Sequence, residues 1–149
     1  PLSPLCGTRA VFVAGESAII KAFCQTRTDH GSAMPPYTQA ASIRAWSDEQ
    51  HVITNRRAYR DKFNAVLDIL SPVLNVHQPE ASFYLWPETP VDDTVFAREL
   101  YAQHHVTVLP GSFLSRSAHG INPGHNHVRI ALVAELDECI AAAHRIHRL

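Results

Sequence analysis

Arg129 stands in the stretch HNHVRIALVA, residues 125–134, a run that is otherwise apolar from Val128 onward. Side chains alternate across a strand, so Val128, Ile130 and Leu132 share one face, the expected core. Arg129, Ala131 and Val133 share the other. The small Ala131 leaves space beside the guanidinium. An arginine held on a rigid strand can grip a carboxylate through two parallel hydrogen bonds. The plainer account of such a residue is an internal ion pair with an Asp or Glu, or a stem lying along the sheet with its head in water. The pattern leaves both open.

Other residues could carry chemistry. Ten histidines are present, with His119, His125 and His127 close together and His104 and His105 not far off. A His-x-His pair can hold zinc from a strand. No cysteine joins the group, and no metal site is expected. Ser112, His119 and Asp137 could be drawn as a triad, but G-x-S-x-G is missing and no catalytic residue is assigned. Trp86 could face a substrate or pack in the core. Arg116 could meet a second carboxylate or sit in solvent. Cys6 lies beside Gly7, and nothing in its surroundings marks it as reactive.

These residues must be positioned by the elements around them. AVFVAG (10–15) reads as a buried strand and 16–26 as a helix. Pro35 and Pro36 make a break before a short helix from about Thr38. SDEQ (47–50) has the form of a capping box with Ser47 as cap. Tyr59, Phe63, Val66, Leu67 and Leu70 then recur at helical spacing, giving one helix over 48–70 stopped by Pro72. Residues 82–86 read as a strand, VDDT (91–94) opens a helix to His104, and 106–109 and 127–134 are strands. The long loop 110–126 separates the last two. A helix over 135–149 has acids in its first turn and bases in its last. The expected fold is α/β: a two-layer domain over 47–149, helices on a short mixed sheet, preceded by a less self-sufficient segment, 1–46.

Composition narrows the partners. The chain has 149 residues, 46% of them hydrophobic, which is enough for a core. A net charge of −1 with no block of like charge disfavours nucleic acid or an anionic membrane surface. No basic-then-apolar leader opens the chain. Three widely spaced cysteines do not make a disulfide framework, so a reducing, cytoplasmic setting is expected. Only two of the 13 basic residues are lysines, Lys21 and Lys62.

VTVLPGSFLSRSAHGINPGHNHVRIALV resembles the C-terminal region of fold type I pyridoxal-phosphate aminotransferases, and within them the bacterial N-succinyldiaminopimelate branch. The family's V-x-V-x-P-G falls on Val106–Gly111, and its N-x-V-R-I-A-L on Asn126–Leu132. Ser3, Leu5, Gly7, Arg9 and Phe12–Gly15 are similar to its cofactor segment, and 31–46 to the segment that follows. The resemblance implies that Arg129 binds the substrate α-carboxylate and that Arg9 meets the cofactor phosphate. It implies an amino-group transfer between glutamate and a 2-oxo acid, in diaminopimelate and lysine synthesis, by a homodimer. It places the Schiff-base lysine eight residues before Arg9, where Pro1 stands. The expectation is a C-terminal fragment, inactive alone, that lacks most of a large domain. The alternative is a non-catalytic α/β domain that binds carboxylates or another protein.

Overall fold

The computed structural model describes residues 9–31 and 33–148. They form two compact units, and the division falls inside a helix, between Asn55 and Arg56.

In the unit up to Asn55, α1 (Ser17–His30) buries none of its residues. α2 (Pro36–Trp46) starts with a proline at its first position, where the missing N–H has no intrahelical partner to lose. It buries Ser42 and Ala45, and Trp46 meets Phe12 edge to face at 5.4 Å. The strand expected over 10–15 is not formed. The segment has no pairing partner among the described residues, and Val11 is 76% exposed. An apolar run supplies the propensity for a strand, but only a neighbouring strand satisfies its backbone.

α3 (Gln50–Leu70) opens differently from the expected capping box. Ser47 is the C-cap of α2, in helical geometry, and its N–H and hydroxyl both donate back to Ile43 O, at 3.0 and 2.7 Å. Asp48 accepts from Gln50 N at 3.0 Å instead. The helix ends in a turn after Leu70, beside Pro72.

The unit from Arg56 joins most of α3 to three short strands and two further α-helices. β1 is Tyr84–Leu85, α4 is Asp93–His104, β2 is Leu109–Pro110, β3 is Val128–Ala131 and α5 is Leu136–Ile146. β3 lies between β1 and β2, antiparallel to both, with Leu85 opposite Ile130 and Leu109 opposite Arg129. The α/β class read from the sequence holds. The sheet within it is antiparallel rather than mixed, because both neighbours of β3 run against it.

The core gathers Phe63, Val66 and Leu70 of α3, Phe96 and Leu100 of α4, and Cys139, Ala143 and Ile146 of α5 against Leu85, Val108, Val128, Ile130 and Leu132. The helices therefore cover the face of the sheet that carries Val128 and Ile130, and the opposite face is left open. α4 is capped by Asp92, which accepts from Thr94 N and Val95 N. Its far end is held by Arg145 of α5, whose guanidinium donates to His104 O and His105 O, both at 3.2 Å. A cation there also complements the helix dipole. Among the described residues no helix is long and apolar enough to cross a membrane.

Candidate functional site: an unpaired arginine on the open sheet face

Arg129 sits on the central strand, half-buried, with its two strand neighbours Val128 and Ile130 locked in the core. Its Nε is buried and has no hydrogen-bond partner. Among the described residues no carboxylate forms an ion pair with it. Its Cζ lies 5.7 Å from the ring centroid of Tyr84, a cation–π contact. The internal ion pair that would have explained this arginine structurally is therefore not made. A buried donor left unmatched is costly unless something supplies the acceptor.

The register places aromatic groups around it. Tyr84 pairs with Ala131 and Leu85 with Ile130, so Trp86 comes opposite Arg129 on the same open face. Trp86 is 37% exposed, and it stacks on His127 at 5.8 Å with 15° between the rings. His127 takes its place through Nδ1, 2.9 Å from His125 O. The site is thus a guanidinium flanked by Tyr84, Trp86 and His127, open toward solvent.

The loop between β2 and β3 is closed by contacts at its two ends. Gly111 N donates to His127 O at 2.7 Å. A Cβ on Gly111 would run into Gly124 O, and one on Gly124 would strike the Gly111 carbonyl. The two backbones can approach only because neither residue has a side chain. Ser115 bridges inside the loop, donating to Asn122 Oδ1 and accepting from Gly124 N at 3.2 Å.

Asp93, the first residue of α4, is 0% exposed. One of its carboxylate oxygens accepts from Ser112 N at 2.9 Å and Ser112 Oγ at 2.6 Å. The other accepts from Asn126 N at 3.2 Å. Burial pushes the carboxyl up, but these three bonds outweigh it and hold Asp93 below the ordinary carboxylate range. Asn126 takes the left-handed conformation, φ 58°, which asparagine tolerates.

The remaining candidates are not brought together as drawn from the sequence. Ser112 gives its hydroxyl proton to Asp93, so the triad with His119 and Asp137 does not assemble. His119 is exposed on the loop and His127 is stacked on Trp86. The one group of metal-type donors among the described residues is Asp92, Asp93 and His125. His125 Nδ1 lies 4.0 Å from Asp92 and 3.7 Å from Asp93. Both carboxylates already serve the cap and the loop, and the positive end of a helix dipole disfavours a cation there. Arg116 is exposed. Cys6 and Pro1 lie outside the described residues. Sequence reasoning missed Asp93 as an anchor. VDDT marked a helix start, but nothing in it says which acid points inward.

The fit to a pyridoxal-type cofactor is partial. Arg9 is exposed, in the unit up to Asn55, with φ 52°. It carries a charge suited to a phosphate. Lys21 is exposed on α1. Lys62 Nζ donates to Leu132 O at 3.3 Å and lies 5.2 Å from the Tyr59 ring, so its amine is engaged.

The unit from Arg56 thus sets its helices on one face of a small antiparallel sheet and an arginine without an ion-pair partner among the described residues on the other. The chain matches the family model for class I and II aminotransferases over residues 5–146 and belongs to that family. It is 51% identical to an aminotransferase from Neisseria meningitidis, with a TM-score of 0.83, over 94% of this chain and 36% of that one. It is 34% identical to a probable N-succinyldiaminopimelate aminotransferase from Thermus thermophilus, with a TM-score of 0.60, over 71% of this chain and 28% of that one. It is 34% identical to a probable aminotransferase of Mycobacterium tuberculosis, over 95% of this chain and 32% of the relative. The chain spans about a third of the length of the curated relatives it matches.

Proposed function

We propose that this chain is the substrate-carboxylate portion of a pyridoxal-phosphate aminotransferase that moves an amino group between glutamate and a 2-oxo acid. One observation carries the reading: Arg129 is fixed on the central strand with a buried Nε that nothing in its unit satisfies. A carboxylate arriving on the open face would supply both the counter-charge and the acceptor. The guanidinium would then orient the substrate, with Tyr84 and Trp86 shielding one side of the ion pair from water. Arg9 would meet the cofactor phosphate. The cofactor, when bound, supplies the electron sink that labilises the substrate's Cα–H bond.

N-succinyldiaminopimelate is the amino-acid substrate we favour, in lysine and diaminopimelate synthesis. The likeness to the Thermus thermophilus protein supports it. The partners in this reading are the rest of a large cofactor-binding domain and a second copy of the chain. A reducing, cytoplasmic setting is supported by Cys24 and Cys139, which form no disulfide among the described residues.

The test is Arg129→Lys in the complete aminotransferase. Lysine keeps the charge and loses the bidentate geometry. The KM for the amino acid should rise and kcat/KM should fall, by roughly ten- to a hundredfold for a loss of about 1.5–3 kcal/mol. Unchanged kinetics would return Arg129 to a structural role.

A second reading, a non-catalytic carboxylate-binding domain, is favoured by the engagement of Lys62 and the exposure of Lys21. Mixing this chain with pyridoxal phosphate tests whether it holds an imine-forming lysine. A stable, borohydride-reducible imine absorbance confined to one lysine would argue for a cofactor-binding chain. Its absence fits both a fragment and a binding domain, and the length of the reading frame upstream then decides between them.

A further inference from the structure

We propose that Asp93 is a positioning residue for the Arg129 site, acting through the last rungs of the β2–β3 ladder. The proposal rests on the reading of Arg129 as a carboxylate clamp. Asp93 is held rigidly, because α4 is anchored in the core by Phe96, Ala97 and Leu100. Its two oxygens take the amides of Ser112 and Asn126. Those residues flank Gly111 and His127, which are themselves joined by the 2.7 Å bond. Two residues further along each strand, Leu109 faces Arg129. A buried carboxylate thus pins both ends of the loop, three residues beyond the rung that carries the arginine.

The same contact fixes the aromatic wall. His127 lies between Asn126, tied to Asp93, and the ladder, and Trp86 stacks on it. A second tie, Thr89 N to Asn126 O at 2.7 Å, fixes the backbone of Asn126 but leaves Ser112 free. Asp93 takes residues from both ends of the loop at once. Asparagine in its place would keep one carbonyl acceptor, so either Ser112 or Asn126 would lose its partner.

Hydrogen exchange and Trp86 fluorescence test this on the 149-residue chain without any substrate. Trp46→Phe isolates the emission of Trp86. In Asp93→Asn, exchange at Gly111 and Arg129, the amides on the β2 side, should accelerate about tenfold or more, and Trp86 emission should change as the stack loosens. Exchange in α5 should stay within about threefold. If the ladder is unaffected, or if α5 accelerates equally, the proposal is overturned and Asp93 contributes to global stability only. Should Asp93→Asn not fold, Ser112→Ala removes one of the three bonds, and Ser112→Thr should restore the ladder's protection. A ladder that Ser112→Ala leaves as protected as α5 also overturns it. Because no ligand is involved, failure here is distinct from failure of the Arg129→Lys kinetics.

Discussion

Asp92 and Asp93 are adjacent in sequence and do different work, one capping α4 and one closing a loop. The Thr94 hydroxyl is the largest cause lowering the Asp92 carboxyl. For Asp93, burial acts upward and the bonds from Ser112 and Asn126 prevail. Both folded pKa values therefore lie below the unfolded value of about 3.9. A depressed carboxyl stabilises the fold fully above the unfolded pKa, and that contribution is lost as pH falls through the folded one. The urea midpoint should accordingly fall on acidification below about pH 4, and fall less steeply in Asp92→Asn/Asp93→Asn; denaturation curves from about pH 7 to about pH 2.5 measure this. Arg129 was legible in the sequence because alternation along 128–132 fixes which side chains face the core. Asp93 was not, since its partners are backbone amides 19 and 33 residues away. No local pattern encodes a contact of that range.

At the scale of elements, periodic apolar spacing was the reliable signal. It located α3, which buries Phe63, Val66 and Leu70 of its stripe and packs Tyr59 and Leu67 at the edge of the core, while α4 and α5 were marked by their charged ends. Leu70 is 0% exposed at the end of α3. Leu70→Ala should cost about 2–5 kcal/mol, read from the urea midpoint at constant slope. Signals of termini and of unpaired strands were weaker. Ser47 fitted a capping box, yet two helices compete for that serine, and it bonds back to Ile43 as the end of the first. The 10–15 run had strand composition and, among the described residues, no strand beside it. The ladders of β1 and β2 are two residues each, shorter than the apolar runs around them. Val106 and Val108 are buried by packing rather than by pairing.

At the scale of the whole molecule, the unit up to Asn55 leaves much apolar surface in water. Val11, Phe12, Val13 and Ile19 are each more than half exposed. Exposed apolar side chains in such number favour association. The isolated chain should therefore form oligomers at micromolar concentration, and light scattering that reports a monodisperse monomer would contradict this. The orphaned guanidinium of Arg129 has a practical consequence of its own. Acetate, citrate and formate carry the same acid group as the proposed ligand, so each would compete with it for the guanidinium. Work in such buffers would report weakened substrate affinity, and an inert zwitterionic medium is the appropriate one for this protein.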